Sequence, residues 1–198
     1  MTTRTGDAAV PAEFRDLDAF REHWTGHTDV GDDPPGGWQA ATAIVVAPGG
    51  EGLEFAVIER VHRPGDPWSG QMALPGGKRD PGDADLAETA ARETREEVGL
   101  TLPAPLARLD DRSPRSTPGR LATFVYAVPD RRPLTPEPGE VAGAWWMPLG
   151  GLLDPARCTE VQWAGGAFPG IDHHGRPIWG LTYQTLRSFV AAHDLRLP

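Results

Sequence analysis

The sequence predicts a single α+β domain built on a mixed sheet, and three observations carry that reading. At 198 residues the chain fits one domain with extensions better than two, given ~150 residues per domain. Hydrophobic residues make up 39% of it, including 7 Trp, 6 Phe and 2 Tyr, which suffices for a packed core. Strand-like and helix-like stretches follow one another without the regular βαβ alternation of a doubly wound parallel sheet. The 24 Gly and 21 Pro add long loops around that centre.

In chain order, residues 12–27 space Phe14, Leu17, Phe20 and Trp24 three or four apart with charged residues between them, the period of an amphipathic helix. A lone helix this short is marginal in water, so its apolar stripe should pack on the body or on a second subunit of a homodimer. Residues 26–37 collect Gly, Asp and Pro and read as a linker. Residues 1–37 are thus expected to form an N-terminal helix and linker, and residues 38–198 the main domain. Residues 38–47 and 53–61 are β-rich runs on either side of a Pro-Gly-Gly-Glu-Gly turn, which predicts a hairpin. Residues 63–70 read as a loop and 72–74 as a short strand. Residues 83–98 carry the longest helical pattern, burying Leu86, Ala90, Thr94 and Val98, with Gly99 as its stop signal. Strands follow at 106–110, 121–128 and 141–147. Residues 162–178 hold a hairpin around Asp172-His173-His174-Gly175, where the tandem histidines read as polar turn residues; no Cys or third His lies at zinc-ligand spacing. Residues 181–193 close the chain as a helix burying Leu181, Leu186, Phe189 and Val190. No repeat of solenoid length is present.

The formal net charge is −9, and no Lys/Arg run stands against it, which excludes a long nucleic acid as partner. The single cysteine, Cys158, forms no internal disulfide. Apolar runs fall far short of the ~20 residues a bilayer demands, so no membrane partner is expected, and the start lacks the basic-then-apolar pattern of a secretory signal. A cytoplasmic location is the expectation.

Chemistry concentrates in residues 74–100, LPGGKRDPGDADLAETAARETREEVGL. On a helix Glu93 and Glu97 are i,i+4 neighbours and Glu96 is i+3 from Glu93, so three carboxylates converge on one side. Like charges that close repel unless a cation sits among them, and hard oxygen ligands suit Mg²⁺ or Mn²⁺. Glu88, Arg92 and Glu96 form a second i,i+4 ladder in which Arg92 clamps one or both glutamates and fixes a ligand's rotamer. The competing reading of such Glu/Arg alternation is a salt-bridged, solvated helix face.

The order of the segment, a Gly-rich turn, a loop, a helix with R-E-x-x-E-E, then G-L, resembles the box of the Nudix hydrolase family, G-x5-E-x7-R-E-U-x-E-E-x-G-U with U apolar. Arg92, Glu93, Glu96, Glu97, Gly99 and Leu100 match it. Thr94 stands where the family prefers an aliphatic residue. The first half is out of step by one: Ala84 occupies the position of the first Glu, and an extra loop residue leaves Asp83 or Asp85 for the acidic role. The resemblance spans roughly residues 38–195. It implies an α/β/α sandwich around a mixed sheet, with Glu93, Glu96, Glu97 and the Gly77 carbonyl holding Mg²⁺ or Mn²⁺. It further implies hydrolysis of a nucleoside diphosphate linked to another group. Family members often draw a general base from a loop before a late strand, which implies Glu140, with Glu137 as competitor and the metal-bound water or a glutamate of the box as the alternative.

The upstream stretch RVHRPGDPWSGQMALPGG, residues 60–77, is similar to the segment that precedes the box in the coenzyme A diphosphatase branch. Gly70-x3-Leu74-Pro75-Gly76-Gly77 matches with Leu for Phe, and Arg60 approximates the first arginine. The spacing of the second arginine differs, and Asp66 stands near its place. The resemblance implies CoA as the leading substrate, with nucleoside triphosphates, dinucleotides, NADH and ADP-ribose as alternatives. Arg60, His62, Arg63, Lys78 and Arg79 are candidate phosphate partners by charge and geometry, and Trp68 either stacks on a base or plugs a loop. A catalytically silent nucleotide sensor on the same fold is the second reading, which the intact Arg92, Glu93, Glu96 and Glu97 disfavour.

Overall fold

The computed structural model describes residues 10–25, 38–66, 68–113 and 119–198; the expected linker at 26–37 lies outside them. The two β-rich runs form β1 (Trp38–Pro48) and β2 (Leu53–Arg60). They pair only near the turn, Val46, Ala47 and Pro48 against Phe55, Glu54 and Leu53, and then diverge. The wedge between them is filled by β3 (Met72–Ala73), paired with β2, and β4 (Gly76–Lys78), paired with β1. The predicted simple hairpin is therefore a fork. β6 (Gly119–Ala127) runs parallel to β1 from Trp38↔Gly119 to Val46↔Ala127. β5 (Ala107–Arg112) lies antiparallel on β6, and β7 (Val141–Pro148) lies antiparallel on the other edge of β2. One parallel pair among antiparallel ones makes the sheet mixed, as predicted.

Side chains alternate across a strand, and here both faces are apolar. Val46, Phe55, Val57 and Val125 pack on one face with residues of α1 (Leu17–Trp24) and α3 (Gly180–Ala191). Val45, Ala56, Ile58, Phe124 and Tyr126 pack on the other with Leu86, Ala90 and Val98 of α2 (Leu86–Val98). The result is the expected α/β/α sandwich. A separate meander follows β7: β8 (Cys158–Trp163), β9 (Gly166–His173) and β10 (Arg176–Trp179), in the order β10-β9-β8. Among the described residues no helix is long and apolar enough to cross a membrane.

Three expectations need correction. The stripe at 12–27 is not one helix: a 3₁₀ turn at Ala12–Phe14 stops, and α1 starts afresh because the Asp16 side chain accepts the amides of Asp18 and Ala19 as an N-cap. Phe14, Phe20 and Trp24 are nonetheless buried, in the same cluster as Leu186, Phe189 and Val190 of α3. His173 is not turn filler. It falls in β9 two residues from buried Ile171, on the inward side, where burial above all and the neighbouring cations push its pKa down to about 4; only His174 occupies the turn, with φ 53°. Leu181 is not core but lines a cavity at the start of α3. β4 and β8 were not foreseen, being short or largely exposed.

Candidate functional site

α2 begins later than the pattern suggested, at Leu86, because Asp85 accepts the Glu88 amide at 2.8 Å as its N-cap. Glu88 in turn accepts the Ala84 amide at 2.6 Å and is spent at the helix start, so it does not join the expected ladder on Arg92. The helix ends at Gly99, whose φ of 74° is the left-handed cap a glycine supplies at no steric cost. Thr94, at the aliphatic position, is buried with its hydroxyl donating to the Ala90 carbonyl at 2.7 Å, which satisfies the polar atom within the helix.

Of the two candidates for the acidic role, Asp83 is the one that meets Arg92, while Asp85 caps the helix. Asp83 takes a two-pronged bond from Arg92, Nε to Oδ1 at 2.9 Å and Nη2 to Oδ2 at 3.0 Å. It also accepts from the Thr89 hydroxyl and the Asp80 amide. Arg92 foremost, with those bonds, holds the Asp83 carboxyl down at about 2 against the cost of burial. Arg92 donates further to Lys78 O, to Glu93 Oε1 at 3.0 Å and to Glu96 Oε2 at 2.9 Å. One guanidinium thus ties the loop before the helix to two glutamates on it.

Glu97 is 3% exposed and accepts the Gly76 amide at 2.8 Å; burial, reinforced by Glu93 nearby, pushes its pKa up to about 8. Burial also raises Glu93, against the pull of Arg92. Gly77 is the floor under Glu93: a Cβ there would meet the Glu93 carboxyl carbon at 2.5 Å, and one on Gly76 would meet the Ala41 carbonyl at 2.2 Å. The two glycines let β4 enter the fork of β1 and β2 directly beneath the carboxylates.

Oxygens of Glu93, Glu97 and Glu140 all lie within 4.8 Å of one another. Glu140 reaches them because its loop is pinned to the end of α2, Thr135 N to Val98 O at 2.9 Å and Glu137 N to Glu97 O at 3.0 Å. Glu137 itself is exposed and outside the trio. Glu96 also stands apart, half-exposed and held by Arg92, so the trio differs from the three-glutamate set read off the helix.

The carboxylates border a cavity of about 430 Å³ that Arg60, Arg63, Lys78 and Gly77 also line. Arg63 donates to Gly139 O and lies 3.4 Å from Glu140; Arg60 pairs with Asp66 at 3.1 Å. Arg79 is elsewhere, donating to Gln39 and to the carbonyls of Asp83 and Ala84, where it braces the loop before α2. His62 is turned to Ser69 at 2.7 Å. Trp68 plugs nothing: it is 45% exposed at the cavity rim. Thr42 and Leu181 complete the wall; coming from β1 and α3, they carry no local signal. The Gly76 amide that holds Glu97 was missed although the Gly-Gly pair marked the place.

The family model of the NUDIX domain matches residues 37–163. An uncharacterized protein of Schizosaccharomyces pombe is 41% identical over 54% of this chain and 35% of its own length. An uncharacterized Nudix hydrolase, NudL, of Yersinia enterocolitica is 34% identical over 60% of this chain and 64% of its own. The mitochondrial coenzyme A diphosphatase NUDT8 of Homo sapiens is 34% identical over 57% and 51%. The matches thus cover from about a third to just under two thirds of these relatives. Among solved structures, a MutT/nudix family protein of Enterococcus faecalis superposes with a TM-score of 0.55 over 90% of this chain and 70% of that one at 15% identity, a likeness of fold. With more than half of its length matched and the box laid out beneath a forked sheet, the chain belongs to the Nudix family.

Proposed function

We propose that the chain is a divalent-metal-dependent pyrophosphohydrolase that cleaves a nucleoside diphosphate bonded to another moiety, with CoA as the foremost substrate. The observation that carries this is the meeting of Glu93, Glu97 and Glu140 in one cavity with Arg60, Arg63 and Lys78. A binding-only pocket for an anion gains nothing from three repelling carboxylates. Membership of the family and likeness to the human CoA diphosphatase support the chemistry and the substrate respectively.

The donor set fits Mg²⁺ or Mn²⁺. It is all oxygen, and buried Glu97 and partly buried Glu93 both have raised pKa values, a cost that a cation offsets. Glu93 and Glu97, with the Gly77 carbonyl, would hold the ion, Glu96 at the rim extends the set toward substrate, and Glu140 stands beside them free to act as a base. A bound divalent ion supplies neutralisation of phosphate oxygens and acidification of water. The chain's own residues do the rest. Arg92, anchored on Asp83, fixes the Glu93 rotamer; Gly76 N–H fixes Glu97. Arg60, Arg63 and Lys78 attract and orient the diphosphate. Glu140, exposed and beside Arg63, accepts at its carboxylate the proton of the attacking water. Cleavage of CoA by one water yields 3′,5′-ADP and 4′-phosphopantetheine.

The test is a panel of CoA, NADH, ADP-ribose, Ap4A and nucleoside triphosphates with Mg²⁺, with products identified by mass. CoA should give the two products named. Hydrolysis of another member at least a hundredfold more efficiently removes CoA from the reading, and hydrolysis of none removes the activity.

A further inference from the structure

The carboxylate cavity does not end at the diphosphate site. It shares the walls made by Arg60, Trp68 and Leu181 with a second cavity of about 410 Å³, and a third of about 440 Å³ shares Trp68 and Leu181 with both and Phe168 and Trp179 with the second. The three form one trough from α2 toward the outer face of α3. Its middle is aromatic. Among the described residues the exposed large hydrophobic side chains are Trp68 and Trp163, at 45% and 49%, and both line the middle cavity. Trp179 holds Trp163 and Phe168 in one cluster, with ring centroids 5.5 and 5.7 Å away. Its far end carries a cation: Arg187, exposed on α3, lines the third cavity. No other described residue pairs with it by hydrogen bond or ion pair. Phe168, Trp179 and Arg187 lie beyond the segment matched by the family model and outside the box.

We propose that the trough holds the nucleotide half of the substrate, with its base on the Trp163–Trp179–Phe168 cluster and a second, non-scissile phosphate, a phosphomonoester on the ribose, paired with Arg187. Two exposed tryptophans beside a reactive cavity leave apolar surface in water that a planar base covers by stacking. A guanidinium with no partner among the described residues, set beside Phe168 and Trp179 in the third cavity, calls for an anion, and its fork matches a phosphate. The flexible, uncharged amide arm of CoA uses neither feature, which places that arm on the opposite side of the diphosphate. This inference rests on the diphosphate reading above and sharpens it: the substrate carries a phosphate in addition to the pair being cleaved.

The experiment measures binding and turnover separately. Quenching of tryptophan fluorescence with Mg²⁺ present compares 3′,5′-ADP with 5′-AMP, which differ only in the ribose phosphate. The wild-type protein should bind 3′,5′-ADP at least about tenfold more tightly. Arg187→Ala should remove that preference while leaving 5′-AMP binding and the melting temperature unchanged, Arg187→Lys should restore part of it, and Trp163→Ala should weaken both nucleotides about tenfold alike. In turnover, Arg187→Ala should raise KM for CoA and leave dephospho-CoA untouched. Equal wild-type affinity for the two nucleotides, or a preference that survives Arg187→Ala, overturns the proposal even if CoA is hydrolysed. A preference that depends on Arg187 in a protein that does not hydrolyse CoA upholds the trough and overturns the substrate reading alone.

Discussion

Replacing Asp83 by Asn tests the join on which the site depends. The substitution keeps the shape but removes the charge that faces Arg92 through two bonds of 2.9 and 3.0 Å, and turns an amide N–H₂ toward a guanidinium that cannot accept it. The Asp83 side chain is 5% exposed, so solvent cannot take the place of the lost partner. Folding lowers its carboxyl from an ordinary 3.8 to about 2, which corresponds to stability on the order of 2 kcal/mol. Because the folded value is the lower one, that contribution is complete above about pH 4 and is lost as the pH falls toward 2. At pH 7 the variant should melt ~5–10 °C below wild type, and the gap should close in acid. Asp85→Asn is the control, since Asn caps a helix about as well as Asp and should cost under ~0.5 kcal/mol. Loss of the anchor should also lower kcat, because Arg92 no longer holds Glu93. Calorimetric scans at pH 7 and at pH 3, where about half of the gap should remain, together with a turnover assay decide the matter. If the Asp83→Asn and Asp85→Asn proteins melt together at pH 7, the assignment of the first acidic role to Asp83 is wrong.

Glu97→Gln and Glu93→Gln should each lower turnover more than a hundredfold while retaining the fold, since the amide oxygen still accepts from Gly76 N–H at position 97 and from Arg92 at position 93 but no longer completes the anionic trio; activity within about tenfold of wild type, ~1.4 kcal/mol in barrier, contradicts the metal assignment. Millimolar Mg²⁺ or Mn²⁺ added to EDTA-treated protein should raise the melting temperature by several degrees, since binding at 100 times Kd contributes ~2.7 kcal/mol, and a flat response favours a plain salt-bridged helix face. Buried His173 is neutral in the folded chain, so stability should fall as the pH drops from about 6.5 toward its folded value of about 4; His173→Phe should flatten wild-type stability across that window, measured by urea midpoints. Trp24→Ala should cost ~3–5 kcal/mol, as for a buried aromatic, and a loss below ~1 kcal/mol would show that α1 is a dispensable arm.

The parts of this protein that were legible from its sequence are those fixed by local spacing. The 86–90–94–98 face, the Gly99 stop and the carboxylate-rich side of α2 are properties of one helix, and β1 and β2 follow from two β-rich runs on either side of a glycine-rich turn. What escaped depends on contacts between distant segments. Helix periodicity groups Glu93, Glu96 and Glu97, but which of them meets Glu140 depends on how residues 135–140 dock on the end of α2. Arg79 and Arg63 look alike as loop arginines, yet one braces backbone carbonyls and the other opens on the cavity. Polarity suggested an exposed turn for His173, and the inward register of β9 overruled it.

The stacking of α1 on α3 has a consequence for how the chain acquires its structure. His23 bonds the carbonyl of Ala192 across 169 positions of sequence, and the Phe14 and Phe189 rings lie 6.0 Å apart, so one face of the sheet is sealed by segments near opposite ends of the chain. Contacts of such long separation slow folding, because the loop between them must be ordered first. On the ribosome the apolar residues of α1 emerge long before α3 and must wait for it. Until then Val46, Val57 and Val125 present an open apolar surface, the kind on which partly made chains aggregate. The opposite face, covered by α2, needs nothing beyond the strands themselves and can close first.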